Sequence, residues 1–547
     1  MSESQPHSMA STFSQYLLIA LVSYTIWRIL RRVFKSSVLD NIPGPQRHSI
    51  LTGNLAAFHD PDGWEFHEDL EQNYGQVVKV RGFLGTPHLF VFDSVALHSI
   101  LVQDADVYEE NPIYMKVYSL LWGPGILSTV GDDHRRYRKI MTPAFATGKL
   151  REMIPIFYEV AEEARDGLIA PFLNDGPSKF DLNNILNRTS LEMIGRTGIG
   201  YSFDRMLAGK EANDKYAETL KELLPTTFKL ALLFPFLPHA IQMGSAAFRR
   251  FMVNIIPSKT LHQVRDMVDF MERTARQLVE AKKEAVRRGH LDMADNSKDI
   301  MTLLLKGNLG AEEGMFLTDD ELVAQTGMII SAATDTTSSA LDRIFHILTL
   351  HPDVQERLRD EIVDSPERMD YEGLGSLPYL DAFIYEVLRL YPPVTPVMFR
   401  ETVEEAILPL SKPITGVDGS IITSIPVPKG TTLYVAIAAA NHNKQIWGDD
   451  ALEFKPERWA NGKAAASSEK MCGIYGNMMT FLGGGRSCIG FQFSLLEIKV
   501  VLSVFLRHFK FSSADGAVRW KMSGIIAVPS VHGNVQLPMT VERLNEI

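Results

Sequence analysis

The sequence predicts a mainly α-helical body with a small β region, preceded by one N-terminal transmembrane helix. Apolar residues recur with helical spacing through 149–170, 257–289, 318–350 and 352–365. Strand-like pieces, rich in β-branched and aromatic residues, are short and confined to 77–80, 88–92 and 431–437. Residues 13–30 (FSQYLLIALVSYTIWRIL) form an apolar run of about the minimum length that spans a bilayer.

Taken in chain order, the apolar run comes first. Its one charge, Arg28, lies near the end, where a guanidinium can snorkel to the interface. Arg31, Arg32 and Lys35 follow the run, whereas only Glu3 precedes it. A cleavable signal peptide carries its positive charge ahead of the apolar stretch. The expected topology therefore keeps the N-terminus lumenal and everything after Lys35 cytosolic. Ile42-Pro43-Gly44-Pro45 is a stiff turn by which a globular body leaves its anchor. The helix at 318–350 opens on a capping box formed by Thr318 and Glu321. The polar stretches 292–298 and 461–470 read as surface loops.

At about 150 residues per domain the chain could hold three or four domains. It shows no internal repeat and no separating linker, so the expected organisation is an anchor with its basic flank at 1–40 and one body at 41–547. A sequon, Asn187-Arg188-Thr189, falls on the cytosolic side of that topology and is read as a chance occurrence.

Composition narrows the function. Hydrophobic residues at 45% and charged residues at 22% are the balance of a globular protein, not of a disordered or collagen-like one. A net charge of −11 argues against a general affinity for nucleic acid. Only two cysteines are present, Cys472 and Cys488, so a disulfide framework and a four-cysteine zinc or iron–sulfur site are excluded.

Cys488 stands in Phe481-Leu482-Gly483-Gly484-Gly485-Arg486-Ser487-Cys488-Ile489-Gly490, just ahead of a helical run from Phe491. Three glycines let the backbone approach a neighbour closely, and Arg486 adds a fixed positive charge. Amide donors and the macrodipole at a helix N-terminus favour a thiolate, which suits a soft or borderline metal. A buried structural cysteine in a glycine-rich turn is the plainer alternative.

The pattern F-x-x-G-x-R-x-C-x-G, met at Phe481, Gly484, Arg486, Cys488 and Gly490, resembles the haem-binding loop of the cytochrome P450 family. The resemblance implies that Cys488 is the axial ligand of the iron of haem b, that Arg486 meets a haem propionate, and that Phe481 packs beneath the ring. A thiolate ligand donates electron density to iron and favours O–O cleavage. Cys472 has no such context.

Further motifs occur in the family's order. Glu386 and Arg389 share a helix face three residues apart; with Arg458 of Phe454-Lys455-Pro456-Glu457-Arg458-Trp459 they resemble the family's buried charge network, implied to be structural. Ile330-Ser331-Ala332-Ala333-Thr334-Asp335-Thr336-Thr337 is a hydroxyl-rich patch in mid-helix. An acid beside an alcohol can relay protons, and the segment is similar to the family's oxygen-binding helix, with Ala333 where glycine is usual. Asp335 and Thr336 are then the implied proton-delivery residues. His134 and Arg138 stand where the family commonly has W-x-x-x-R. Arg138, His134 and Arg400 are implied contacts of the propionates, the His134 contact being pH-sensitive for an ordinary imidazole. Arg135, Arg136 and Lys139 would form a basic patch on the cysteine side.

The function this resemblance implies is a membrane-anchored monooxygenase of eukaryotic microsomal, fungal-like type. It would use dioxygen and electrons from an NADPH-dependent flavoprotein reductase, with its catalytic domain on the cytosolic side of the endoplasmic reticulum membrane. Segments 108–130, 223–251, 394–398 and 523–529 are the expected pocket lining, rich in Leu, Ile, Val, Phe and Met, and call for a lipophilic substrate. Terpenoid or other secondary-metabolite tailoring is the first expectation; xenobiotic or fatty-acid hydroxylation is the second. A haem-thiolate isomerase or dehydratase and a haem protein without turnover are rival classes. Neither needs the acid–alcohol pair.

Overall fold

Thr318 caps the longest helix among the described residues. Its hydroxyl accepts the Glu321 amide at 3.3 Å while the Glu321 carboxylate accepts the Thr318 amide at 2.7 Å, which is the reciprocal arrangement expected from the sequence. The helix then runs unbroken from Asp319 to Leu350. Its mid-helix hydroxyls do not interrupt it; Thr326 and Thr336 bond back one turn, to Leu322 O at 2.8 Å and Ala332 O at 2.7 Å.

This computed structural model describes residues 16, 23–24, 37–204, 206, 215–288, 299–309, 315–395, 397–462, 470–514 and 516–544. The expected membrane helix at 13–30 lies almost wholly outside them, as do most of the two expected loops. Among the described residues no helix is long and apolar enough to cross a membrane.

Most of the body is helical, and the helical spacing in the sequence marks real elements: Thr147–Ala164, Lys259–Arg287, Asp319–Leu350 and Pro352–Val363. The long helix packs against Leu182–Ile194, where Asn183 Nδ2 donates to Asp342 at 2.6 Å. Behind it runs Phe491–His508, buried along most of its length. One continuous cluster of buried apolar side chains extends from Leu39 to Val541.

The three expected strands are present as β1 (Val77–Arg81), β2 (Pro87–Val91) and β5 (Thr432–Ala436), joined by β3 (Tyr108–Glu110) and β4 (Val397–Thr402) in the order β1-β2-β5-β4-β3. Only the β2–β5 pair is parallel. The register sets Glu110 directly opposite Arg400, so this sheet edge carries a cross-strand ion pair into the interior. Further two- and three-stranded sheets escaped the sequence reading. The hairpin Ala406–Thr415 with Ile421–Val427 is one, its alternation interrupted by a register shift between Pro409 and Ile414.

Candidate active site

The loop before Cys488 is shaped from both sides. A short hairpin, Gly473–Tyr475 with Met478–Gly483, leads into it, and Gly490 caps the helix that leaves it. The Cys488 amide donates to Phe481 O at 2.9 Å. The three glycines are not equivalent. A Cβ on Gly483 would lie 2.0 Å from Cys472 O, and one on Gly484 would lie 1.9 Å from Leu101 O, with φ at +66°. Gly485 has nothing within 4 Å, so the expectation that all three permit a close approach holds for two. Gly484→Ala adds a left-handed penalty of about 1–2 kcal/mol to a backbone clash, whereas Gly485→Ala stays within about 0.5 kcal/mol. Thermal melts of the two variants should separate clearly, and equal melting temperatures would refute this packing.

Cys488 is exposed by accessible area yet closely surrounded by protein, so its sulfur faces an interior space. Burial pushes the thiol pKa up, while the Gly490 amide and the Arg138 charge pull it down. The thiolate expected from the helix N-terminus is thus not favoured by the chain alone; a metal cation bound there would supply the missing compensation. Burial raises the Cys472 thiol to about 11, which disfavours its reactive thiolate form. Phe481 packs edge-on to Tyr475 at 5.5 Å and beside Phe491 at 6.0 Å.

His134, Arg138, Arg400 and Arg486, far apart in sequence, line one cavity of about 340 Å³ with Ile100, Leu101 and Tyr108. Arg486 donates to Thr129 O at 2.9 Å and Glu109 at 3.0 Å. Arg138 donates to the Ser487 carbonyl and to its hydroxyl. Arg400 is 2% exposed, pairs with Glu110 at 2.6 Å, and has its Nη2 buried without any partner. An orphaned guanidinium nitrogen costs stability unless an anion meets it. Arg135, Arg138, Lys139, Arg400 and Arg486 against Asp106 and Glu109 leave the lining of this cavity net positive. A soft-ligand thiol, an adjoining cationic cavity and an unmatched donor fit a haem with its propionates.

Burial first, then the charges of Arg486, Arg138, Arg400 and Arg135, hold the His134 pKa down to about 3. The pH sensitivity expected of an ordinary imidazole is therefore removed in the chain alone. The basic patch is also smaller than expected. Arg136 is drawn into the body by Glu321 and Phe316 O, and Arg135 pairs with Asp106 and Asp132, leaving Lys139 exposed.

Glu386 and Arg389 form a two-pronged pair at 2.8 and 2.9 Å with no exposure at all. Arg458 reaches the same carboxylate at 3.4 Å. The structure adds partners that the motif does not announce. Trp459 Nε1 donates to Glu386 at 2.9 Å, and Arg389 donates to Asn441 O at 3.0 Å and Ala451 O at 2.6 Å. Asn441 in turn accepts the Met479 amide at 2.6 Å and donates to Thr480 at 2.9 Å. The network is thereby tied to the strand that enters the cysteine loop.

The Thr336 hydroxyl donates to Ala332 O and not to Asp335. At about 100° per residue, Ala332, Ala333 and Thr336 share one stripe, exposed at Ala332 and half-buried at the other two, on a mostly buried helix. Thr334 and Asp335 point away from that stripe, into a second cavity. Ala333 is half-buried. Asn187 sits in mid-helix, donating to Asn183 O at 2.7 Å and accepting from Ser338 at 3.1 Å, so its sequon is not a free loop.

The expected pocket segments converge. Tyr114 stacks on Phe399 at 3.7 Å and packs against Phe228 and Phe234; Gly524 abuts Phe228, and Val394 bridges Ile526.

Comparison with known proteins agrees with this geometry. The sequence model of the Cytochrome P450 family matches residues 42–536. Cytochrome P450 monooxygenase 91 of Postia placenta is 42% identical, covering 97% of this chain and 98% of its own. A ganoderic acid synthetase of Ganoderma lucidum is 35% identical, covering 94% and 95%. A cytochrome P450 monooxygenase of Hericium erinaceus, eriI, is 33% identical, covering 96% and 97%. With the cysteine loop, the cationic cavity and the buried Glu–Arg network in one helical body, the chain belongs to the cytochrome P450 family of haem-thiolate monooxygenases.

Proposed function

We propose that this protein is a membrane-anchored monooxygenase that inserts one oxygen atom from dioxygen into a lipophilic, terpenoid-like small molecule of secondary metabolism. The observation that carries it is the accessible Cys488 thiol beside Arg138, which lines the same cavity as the unmatched Arg400 donor. Cys488 holds the iron of haem b as its thiolate, and Arg138, Arg400 and Arg486 bind the propionates with His134. The haem, when bound, supplies the activation of dioxygen. Asp335 and Thr336 supply protons from the two faces of their helix. Electrons come from an NADPH-dependent flavoprotein reductase, docking near Lys139 and Arg135.

The apolar convergence around Tyr114, Phe228 and Ile526 supports a lipophilic substrate, and the name of the Ganoderma lucidum relative supports the terpenoid class. Exposed Leu232, Leu233, Phe236, Phe248, Phe251 and Ile255 cluster within one stretch of chain. They support contact with a bilayer beside the anchor expected at 13–30, and the body is proposed to lie on the cytosolic face of the endoplasmic reticulum.

The test is a product screen by mass spectrometry, using membranes that contain the full chain, a reductase and a lipophilic library. Oxygenated terpenoids are the expected products. Oxygenation of fatty acids or xenobiotics alone would overturn the substrate class, and turnover that needs peroxide but no reductase would overturn the reaction. In the same membranes Thr336→Ala should raise the peroxide released per NADPH severalfold. Unchanged coupling would count against proton delivery by Thr336.

A further inference from the structure

Arg188, Arg389, Arg400 and Arg486, all drawn into the body, each meet a carboxylate, from Asp204, Glu386, Glu110 and Glu109 in turn. Arg343 does not. Its guanidinium is closely surrounded by protein, yet among the described residues it makes no ion pair and no hydrogen bond. What holds it is aromatic: its central carbon lies 3.4 Å from the centroid of the Trp520 ring and 4.4 Å from that of Tyr391. A guanidinium stacked on a ring presents its N–H donors along its edge, away from the ring. The indole is itself fixed, since the strand Arg519–Ser523 pairs with Ile526–Val531 and Trp64 Nε1 donates to Trp520 O at 2.7 Å.

A second donor lies one turn on. His346 is three residues from Arg343, on the same helix face, and its Nδ1 accepts the Trp520 indole N–H at 3.1 Å. An accepting Nδ1 leaves the proton of the neutral ring on Nε2. Burial, then the Arg343 charge, hold the His346 pKa down to about 4, so the ring is neutral at pH 7. Burial also lowers Arg343, but only to about 9, and it stays charged. The acid beside it does not answer that charge: Asp342 is bound by Asn183 at 2.6 Å, and burial raises its pKa to about 8. Arg343, His346, Tyr391 and Trp520 all keep part of their surface accessible.

We propose that Arg343 and His346, held by Trp520 and Tyr391, form a binding site for a small organic carboxylate, separate from the substrate space. One fixed positive charge matches a monoanion; a phosphate dianion would leave a negative charge unanswered in a confined site. The edge of a guanidinium takes a carboxylate in two parallel hydrogen bonds, and His346 Nε2 stands on the same face as a further donor. The aromatic walls suit an apolar or aromatic substituent. Between Thr336 and Arg343 the helix is closed onto the hairpin by Ser339 Oγ, which donates to Ala527 O at 2.6 Å. That contact sets this corner apart from the Ala332–Thr336 stripe.

The test uses the haem-loaded full chain with its substrate space filled by an azole that ligates the iron, the Soret position reporting that the azole stays bound. Titration calorimetry then follows benzoate, with inorganic phosphate and benzyl alcohol as comparisons. Benzoate should bind at one site, and both comparisons at least about tenfold more weakly. Arg343→Met should weaken benzoate at least about tenfold, the loss expected for hydrogen bonds to a charged group. Arg343→Lys keeps the charge but not the fork and should recover only part of the affinity. His346→Phe should weaken benzoate about threefold; it decides the matter if Arg343→Met fails to fold.

No benzoate binding while the azole is bound would overturn the site, as would an affinity that neither the Arg343 nor the His346 variants change. Phosphate bound as tightly as benzoate would overturn the carboxylate class. Benzyl alcohol bound as tightly would overturn recognition by charge.

Discussion

Cys488→Ala should abolish the red-shifted Soret band of the ferrous–CO complex while leaving the fold intact. The side chain faces an interior space, its sulfur meets the Gly490 amide, and its backbone amide donates to Phe481 O. Truncation therefore removes a ligand without opening a packed core. Cys488→His is the sharper variant, because imidazole still binds iron but cannot supply the electron density of a thiolate. Haem retained with an unshifted band is its expected signature. Far-UV circular dichroism on both variants checks folding. A surviving red-shifted band in a folded variant would sink the ligand assignment.

The second large effect is Arg389→Ala. Removing one partner of a buried ion pair costs roughly 3–5 kcal/mol. Arg389 also satisfies the carbonyls of Asn441 and Ala451, and each stranded acceptor adds about 1–3 kcal/mol. Set against a typical stability of about 5–15 kcal/mol, the loss is enough to prevent folding. The variant should fail to accumulate as a soluble, haem-loaded body, and Glu386→Ala should fail likewise. Arg458→Ala should be milder, because Arg458 reaches Glu386 only at 3.4 Å and keeps some solvent contact. Denaturant melts of the haem-loaded proteins give the ranking. An Arg389→Ala protein with wild-type stability but no turnover would show that the network acts in chemistry and not in structure.

These two sites were legible in sequence because each is local. Three residues along a helix set Glu386 under Arg389, and a ten-residue loop sets Phe481, Gly484, Arg486 and Cys488. The Thr318–Glu321 box was legible for the same reason. The partners of those groups were not. Glu110 meets Arg400 across 290 positions of chain, and Trp459 reaches Glu386 across 73. Which glycine needs its missing side chain was equally hidden, since Gly483 and Gly484 are pressed by Cys472 and Leu101 while Gly485 is pressed by nothing.

Sequence alone determined the family, the mainly helical class and the identity of the residues with chemistry, because short-range spacing dictates periodicity, caps and the thiol loop. Tertiary structure decided their electrical state and their company. Burial raises the Cys488 and Asp335 pKa values, lowers that of His134, and draws Arg136 away from the surface patch. It also turned the adjacent pair Asp335–Thr336 toward two different spaces. Neighbours in a chain share a backbone, but on a helix the rotation between them, together with whatever packs on each face, decides what each one can do.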